Sequence, residues 1–206
     1  PNWVQTNSFQ NLVMSASTAI HETNHMYGFE LGGWSNYGFF ICEEVVLIVP
    51  WTDTPPRSLI YSSVNTGLSQ MLGQYADLYL TGTMGNQGFH TLLDELNAYI
   101  HSAFVDYQVV DQMPMGRSIS SLDGLAAFMY FTELYLKYVR TNNPTAYNST
   151  VANPQMADVI VTMFNRAEWI IDASADQAHK LNLMADPVFD QVFHPDLYSE
   201  IELLKN

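Results

Sequence analysis

The 206-residue chain is 48% hydrophobic and 13% aromatic, enough to bury one substantial core, and its length suits a single domain over 1–206. Seven Lys and Arg against 21 Asp and Glu leave a formal net charge of -14, whose field repels phosphate backbones and anionic headgroups and so argues against nucleic acid or an acidic membrane surface as partner. Cys42 is the only cysteine, so no disulfide can close within the chain, and its apolar setting, FFICEEVVLIV, leads us to expect a buried, inert thiol.

No stretch approaches the roughly 18 apolar residues of a membrane helix, so membrane insertion is not expected. PNWVQTNSFQ lacks both a basic region and an apolar signal core, and a start at Pro1 suits a processed product or a chain separated from an upstream part. Localisation stays open; scarce Lys and Arg beside many Tyr, Asn and Ser favour a secreted or periplasmic protein.

Along the chain, Phe9, Leu12, Val13, Ala16, Ile20 and Tyr27 recur at three- and four-residue steps. This predicts a helix from Ser8 to about Tyr27, with Asn7 or Ser8 as N-cap and Gly28 as the stop. A Gly- and aromatic-rich passage, GFELGGWSNYGFF, precedes ICEEVVLIVPW, whose β-branched run closed by Pro50 reads as a strand or hairpin arm. TDTPPRS is a loop by its prolines, and LSQMLGQYADLYL returns to helical spacing before the turn-rich TGTMGNQG. A helix is expected from Phe89 to about Val109, then a break at MPMG. The helix begun by Ser121 is apolar on nearly every side and therefore central. Pro154, just after Asn153, suits the first turn of a helix reaching about Ala175, and the tail reads as short helical pieces. The expected class is mainly α with a small β element (α+β).

One segment carries chemistry. In HETNH, His21 and His25 lie four residues apart, about 40° around a helix axis, so both can direct a ring nitrogen to one point. Neutral imidazoles suit a borderline cation such as Zn2+. Glu22 points to a neighbouring direction, where its carboxylate can reach a water on that metal as general base without being a ligand.

A catalytic zinc usually has a third protein ligand. Stepping about 100° per residue from Leu92, the side chains Leu96, Tyr99, Ile100 and Ala103 centre an apolar face near about 40°, with Glu95 at its edge near about 300°. Asp94 and His101 fall near about 200° and 180°, so Asp94, His90 and His101 are expected on a solvent face. Glu133 is the rival third ligand, in a helix so apolar that its carboxylate needs a partner, for which Lys137, four residues on, is the simple choice. Glu30, Glu43 and Glu44 sit in the expected turn and strand beyond the metal helix, where they line a cleft or keep an edge strand soluble.

HETNH resembles the active-site helix of the zincin metallopeptidases. Residue 31 is Leu where the extended metzincin pattern has His, although Gly28 matches. ELNAY, beginning at Glu95, resembles the E-x-x-A element of glutamate-type zincins, including the anthrax lethal factor-like and Mlc titration factor-like groups, whose glutamate is a zinc ligand. The resemblance implies a zincin-like helical domain with its metal site between two helices: His21, His25 and Glu95 hold Zn2+, Glu22 is the catalytic base, and a peptide or protein is the substrate. Only about twenty residues precede HETNH, whereas many zincins place a sheet there, so part of the cleft is expected to lie upstream. Tyr99 is either a donor to the oxyanion or a core tyrosine, and the strand at 41–49 could align an extended peptide.

Other constellations are incomplete. Glu22 and His25 form one E-x-x-H, but a carboxylate-bridged di-iron bundle needs a second copy. No G-x-S-x-G elbow and no phosphate-binding glycine loop occurs. The alternative of another class is a non-enzymatic binding or interaction domain whose HETNH helix holds a structural metal or none.

Overall fold

The structure, a computed structural model, describes residues 3–113, 120–151, 153–181 and 184–205. Helix α1 (Phe9–Gly32) leads into an antiparallel hairpin of β1 (Asn36–Cys42) and β2 (Val45–Pro50). Then come a 3-10 segment (Arg57–Ser63), α2 (Gln70–Tyr79), the single turn α3 (Gly82–Gly85), and the long helices α4 (Phe89–Gln108) and α5 (Ser121–Asn142). The chain closes with α6 (Pro144–Thr150), α7 (Pro154–Ser174), α8 (Ala178–Leu181), α9 (Asp186–Val192) and α10 (Pro195–Glu202). The fold is mainly α with one small two-stranded sheet.

Ser8 caps α1, its Oγ accepting from the Asn11 amide at 3.1 Å. The helix runs past Gly28, the expected stop, to a cap at Gly33, whose φ of 63° is the left-handed conformation that glycine supplies. Gly28 serves a different purpose. A Cβ there would meet Gly38 O at 2.7 Å, and one at Gly32 would meet Gly38 N at 2.6 Å. Three glycines thus let the backbones of α1 and β1 touch, which sets the hairpin against the helix's C-terminal half.

The hairpin begins earlier than the β-branched run suggests, at Asn36, which pairs with Pro50. Glu43 and Glu44 form its turn. Cys42 is therefore exposed at the tip rather than buried, because the run Ile41–Val46 is broken by that turn.

Helix α5 is central as expected: it packs on α4, α6, α7, α9 and α10, and Leu125, Phe128, Phe131 and Leu136 are fully buried. Helix α4 lies between α1 and β1 on one side and α5 and α7 on others. A helix covered from several directions keeps little solvent face, chiefly Phe104 and Gln108 near its C-terminal end, and this decides how its polar side chains are placed. Much of the expected break at MPMG falls on 114–119, outside the described residues.

Candidate metal centre

Helical periodicity brings His21 and His25 to the α4-facing side of α1, their ring centroids 4.8 Å apart and edge to face. Glu95 reaches them from α4. Its Oε2 lies 3.5 Å from His21 Nε2 and 3.6 Å from His25 Nε2, and this buried oxygen has no hydrogen-bond partner among the described residues. One candidate ligand atom from each of the three residues falls within 4.8 Å of the others.

The two carboxylate–imidazole separations, 3.5 and 3.6 Å, suit ligands of a shared metal better than hydrogen bonds. An N–H donor bonds an oxygen at about 2.9 Å, whereas donors about 2.0–2.1 Å from a tetrahedral zinc stand about 3.3 Å from one another. An unsatisfied buried carboxylate oxygen costs about 1–3 kcal/mol or more, a cost that a cation among the three donors removes. Two imidazoles and a carboxylate form a donor set typical of zinc. His21, His25 and Glu95 are by residue type a set that could hold the ion, once the 4.8 Å span of their donors closes to about 4 Å or less.

The surroundings favour the anionic ligand. Burial alone would raise the Glu95 carboxyl, but His21 and His25 outweigh it and pull it down to about 2. Arg57 adds positive charge nearby. It opens the 3-10 segment, fully buried, with Nε donating to Met84 O at 2.8 Å and its other two nitrogens unpartnered among the described residues. Burial lowers its pKa, while the fields of Glu95 and Asp94 act to keep it charged.

Asp94 corrects the expectation of a solvent face. Its Oδ2 lies 2.7 Å from His25 Nδ1, so that nitrogen donates to the carboxylate and Nε2 is directed at Glu95. Burial works against a charged His25, yet the hydrogen bond to Asp94 and the negative charge of Asp94 and Glu95 raise its pKa to about 10 when no metal is bound. His90 is buried, stacked on Tyr37 at 4.4 Å, and burial lowers it to about 4. His101 Nε2 donates to Phe40 O at 2.9 Å, and burial, then Arg166, lower it to about 4 as well. His90 is buried and Asp94 and His101 are partly covered because the hairpin and α1 lie over the side of α4 that local periodicity marks as polar.

Glu133 stays out of the cluster. It is fully buried on α5, with neither oxygen hydrogen-bonded among the described residues. Burial, followed by Glu200 and Glu168, pushes its pKa up to about 10. The expected pairing with Lys137 does not form; that ammonium donates instead to Asp196 O.

Glu22 is half-buried and lines, with His21, a cavity of about 240 Å³ floored by Tyr75, Tyr79 and Tyr99. The Tyr99 ring stands edge-on to His21 at 4.6 Å and its hydroxyl donates to Tyr75. Gly124 of α5 makes room for that ring, since a Cβ there would overlap it. On the other side, His25 and Asp94 border a cavity of about 410 Å³ walled by Tyr37, Trp34 and Trp51.

Sequence reasoning missed Asp94 and Arg57. An aspartate beside a ligand glutamate is a usable signal for outer support of a metal histidine, whereas an arginine in a proline loop reads as exposed. No protein-family model, no curated protein and no solved structure matches this chain.

Proposed function

We propose that the chain is a zinc-dependent peptide hydrolase in which His21, His25 and Glu95 hold the metal and Glu22 moves the proton. The observation that carries this reading is the buried Glu95 Oε2, without a hydrogen bond among the described residues and facing both histidine Nε2 atoms. When bound, zinc supplies Lewis acidity that polarises a carbonyl and acidifies a water. Glu22, beside His21 on the wall of the smaller cavity, accepts the proton of the attacking water and returns it to the leaving amine nitrogen as the C–N bond breaks. Asp94 fixes the His25 ring so that Nε2 stays available. The cavities beside His21 and beside His25 offer room for substrate on either side of the donors.

The test uses tag-free, zinc-loaded protein and a diverse peptide library read by mass spectrometry. Cleavage by the native chain, with Glu22→Gln abolishing cleavage while zinc stays bound, supports the reading. No cleavage of any library peptide, unchanged cleavage in E22Q, or loss of zinc with that change contradicts it.

One observation favours a second reading. A cationic His25 bridges Asp94 at 2.7 Å and Glu95 at 3.6 Å, a self-sufficient ion cluster pinning α1 to α4 without a metal. In that binding-domain reading the melting temperature ignores both zinc and chelator; in the hydrolase reading zinc raises it by mass action.

A further inference from the structure

A cavity of about 550 Å³ opens between β1, α4 and α7 and shares no lining residue with the two beside the histidines. That volume is within the usual range for small-molecule sites. Its walls are largely apolar: Phe40, Phe104, Trp169 and Ile170 line it, with Phe104 and Trp169 leaving 40% and 55% of their surface exposed.

Arg166 stands among them. It is one of seven basic residues facing 21 acidic ones in this chain, yet among the described residues it has no carboxylate partner. Its Nη1 donates to Asn97 Oδ1 at 3.3 Å. It also lies 3.5 Å from His101 Nε2, but that nitrogen already donates to Phe40 O and cannot accept. The other guanidinium N–H groups have no protein acceptor among the described residues, on a side chain that lines the cavity. A half-buried guanidinium is costly to leave unpaired, and burial lowers its pKa here.

We propose that this cavity binds a small organic acid, with its carboxylate on Arg166 and its apolar body against Phe40, Phe104, Trp169 and Ile170. The planar fork of a guanidinium matches a carboxylate. A single cation, with Glu43 also on the cavity wall, suits one negative charge better than the two of a phosphate.

Cys42 reports on the site directly, being the only cysteine, exposed, and part of the same wall. The experiment follows alkylation of Cys42 by iodoacetamide in chelator-treated protein, so that the acid cannot act through a metal, with 3-phenylpropionate and its neutral amide as probes. The acid is expected to slow alkylation saturably, and the amide to need about tenfold or more higher concentration, the ratio that one charge-assisted contact supplies. Arg166→Met, with each rate taken relative to that variant's own ligand-free rate because the charge of Arg166 acts on Cys42, should lose protection by the acid. Equal protection by acid and amide, protection retained in R166M, or none at millimolar acid overturns the proposal. Should R166M fail to fold, the acid and amide comparison on the native chain decides alone.

Discussion

His25 is held at both ring nitrogens, by Asp94 at Nδ1 and toward Glu95 at Nε2, while His21 has an aromatic edge, Tyr99, beside it. Carboxylates that orient a metal-binding histidine typically contribute about 10–100-fold in affinity. Asp94→Ala should therefore weaken zinc binding by about that factor, measured by competition with a chromogenic chelator, and Asp94→Asn should recover part of the loss because its amide oxygen still accepts from Nδ1. Unchanged affinity in D94A would remove Asp94 from this role. The convergence of His21, His25 and Glu95 was legible in the sequence because it follows from local spacing: i and i+4 on one helix, and the edge of one apolar stripe on another. The partners of Asp94, His90 and His101 were not, because they depend on which element covers α4, and periodicity within a helix carries no information about that.

At the scale of elements, α1 positions the histidines because its C-terminal half is clamped to β1 through Gly28, Gly32 and Gly38. Gly28 read as a helix stop because glycine is common there; it is in fact a contact point, a property visible only once the strand is beside it. Gly28→Ala places a methyl 2.7 Å from Gly38 O, a backbone atom that cannot step aside as a side chain can. The expected cost is about 1–3 kcal/mol, read as a lower urea midpoint, together with weaker zinc binding as the hairpin is pushed from α1. A variant as stable as the native chain would mean that this packing is looser than the backbone distances indicate. The hairpin itself was half legible: the β-branched arm showed, but its partner strand, NYGFFIC, alternates too weakly for pattern alone.

Across the whole molecule, α5 carries a carboxyl into the interior without a hydrogen bond among the described residues, and burial, then Glu200 and Glu168, hold Glu133 at about 10 against an ordinary 4.5. Above the ordinary value the unfolded chain has released this proton while the folded chain still holds it, so stability falls as pH rises from about 4.5 toward about 10. The slope contributed by this one group is at most about 1.4 kcal/mol per pH unit. Glu133→Gln should therefore raise the melting temperature more at pH 8 than at pH 5 and flatten the profile between them; parallel profiles would show that Glu133 ionises normally. The central, nearly all-apolar α5 was evident from sequence, whereas the partner expected for Glu133 is not found among the described residues. The choice of Lys137 failed because an i,i+4 rule describes a solvated helix face, and Lys137 turns outward to α10.

The proposed hydrolase activity rests on three side chains from α1 and α4 forming one zinc site. The most direct test is a crystal structure of the tag-free, zinc-soaked chain with anomalous maps above and below the zinc edge. One full peak per chain is expected, about 2.0–2.2 Å from His21 Nε2, His25 Nε2 and a Glu95 oxygen, with Asp94 still on His25 Nδ1. Absence of a peak there, or a zinc held by other residues while Glu95 remains paired only with the two histidines, would contradict it.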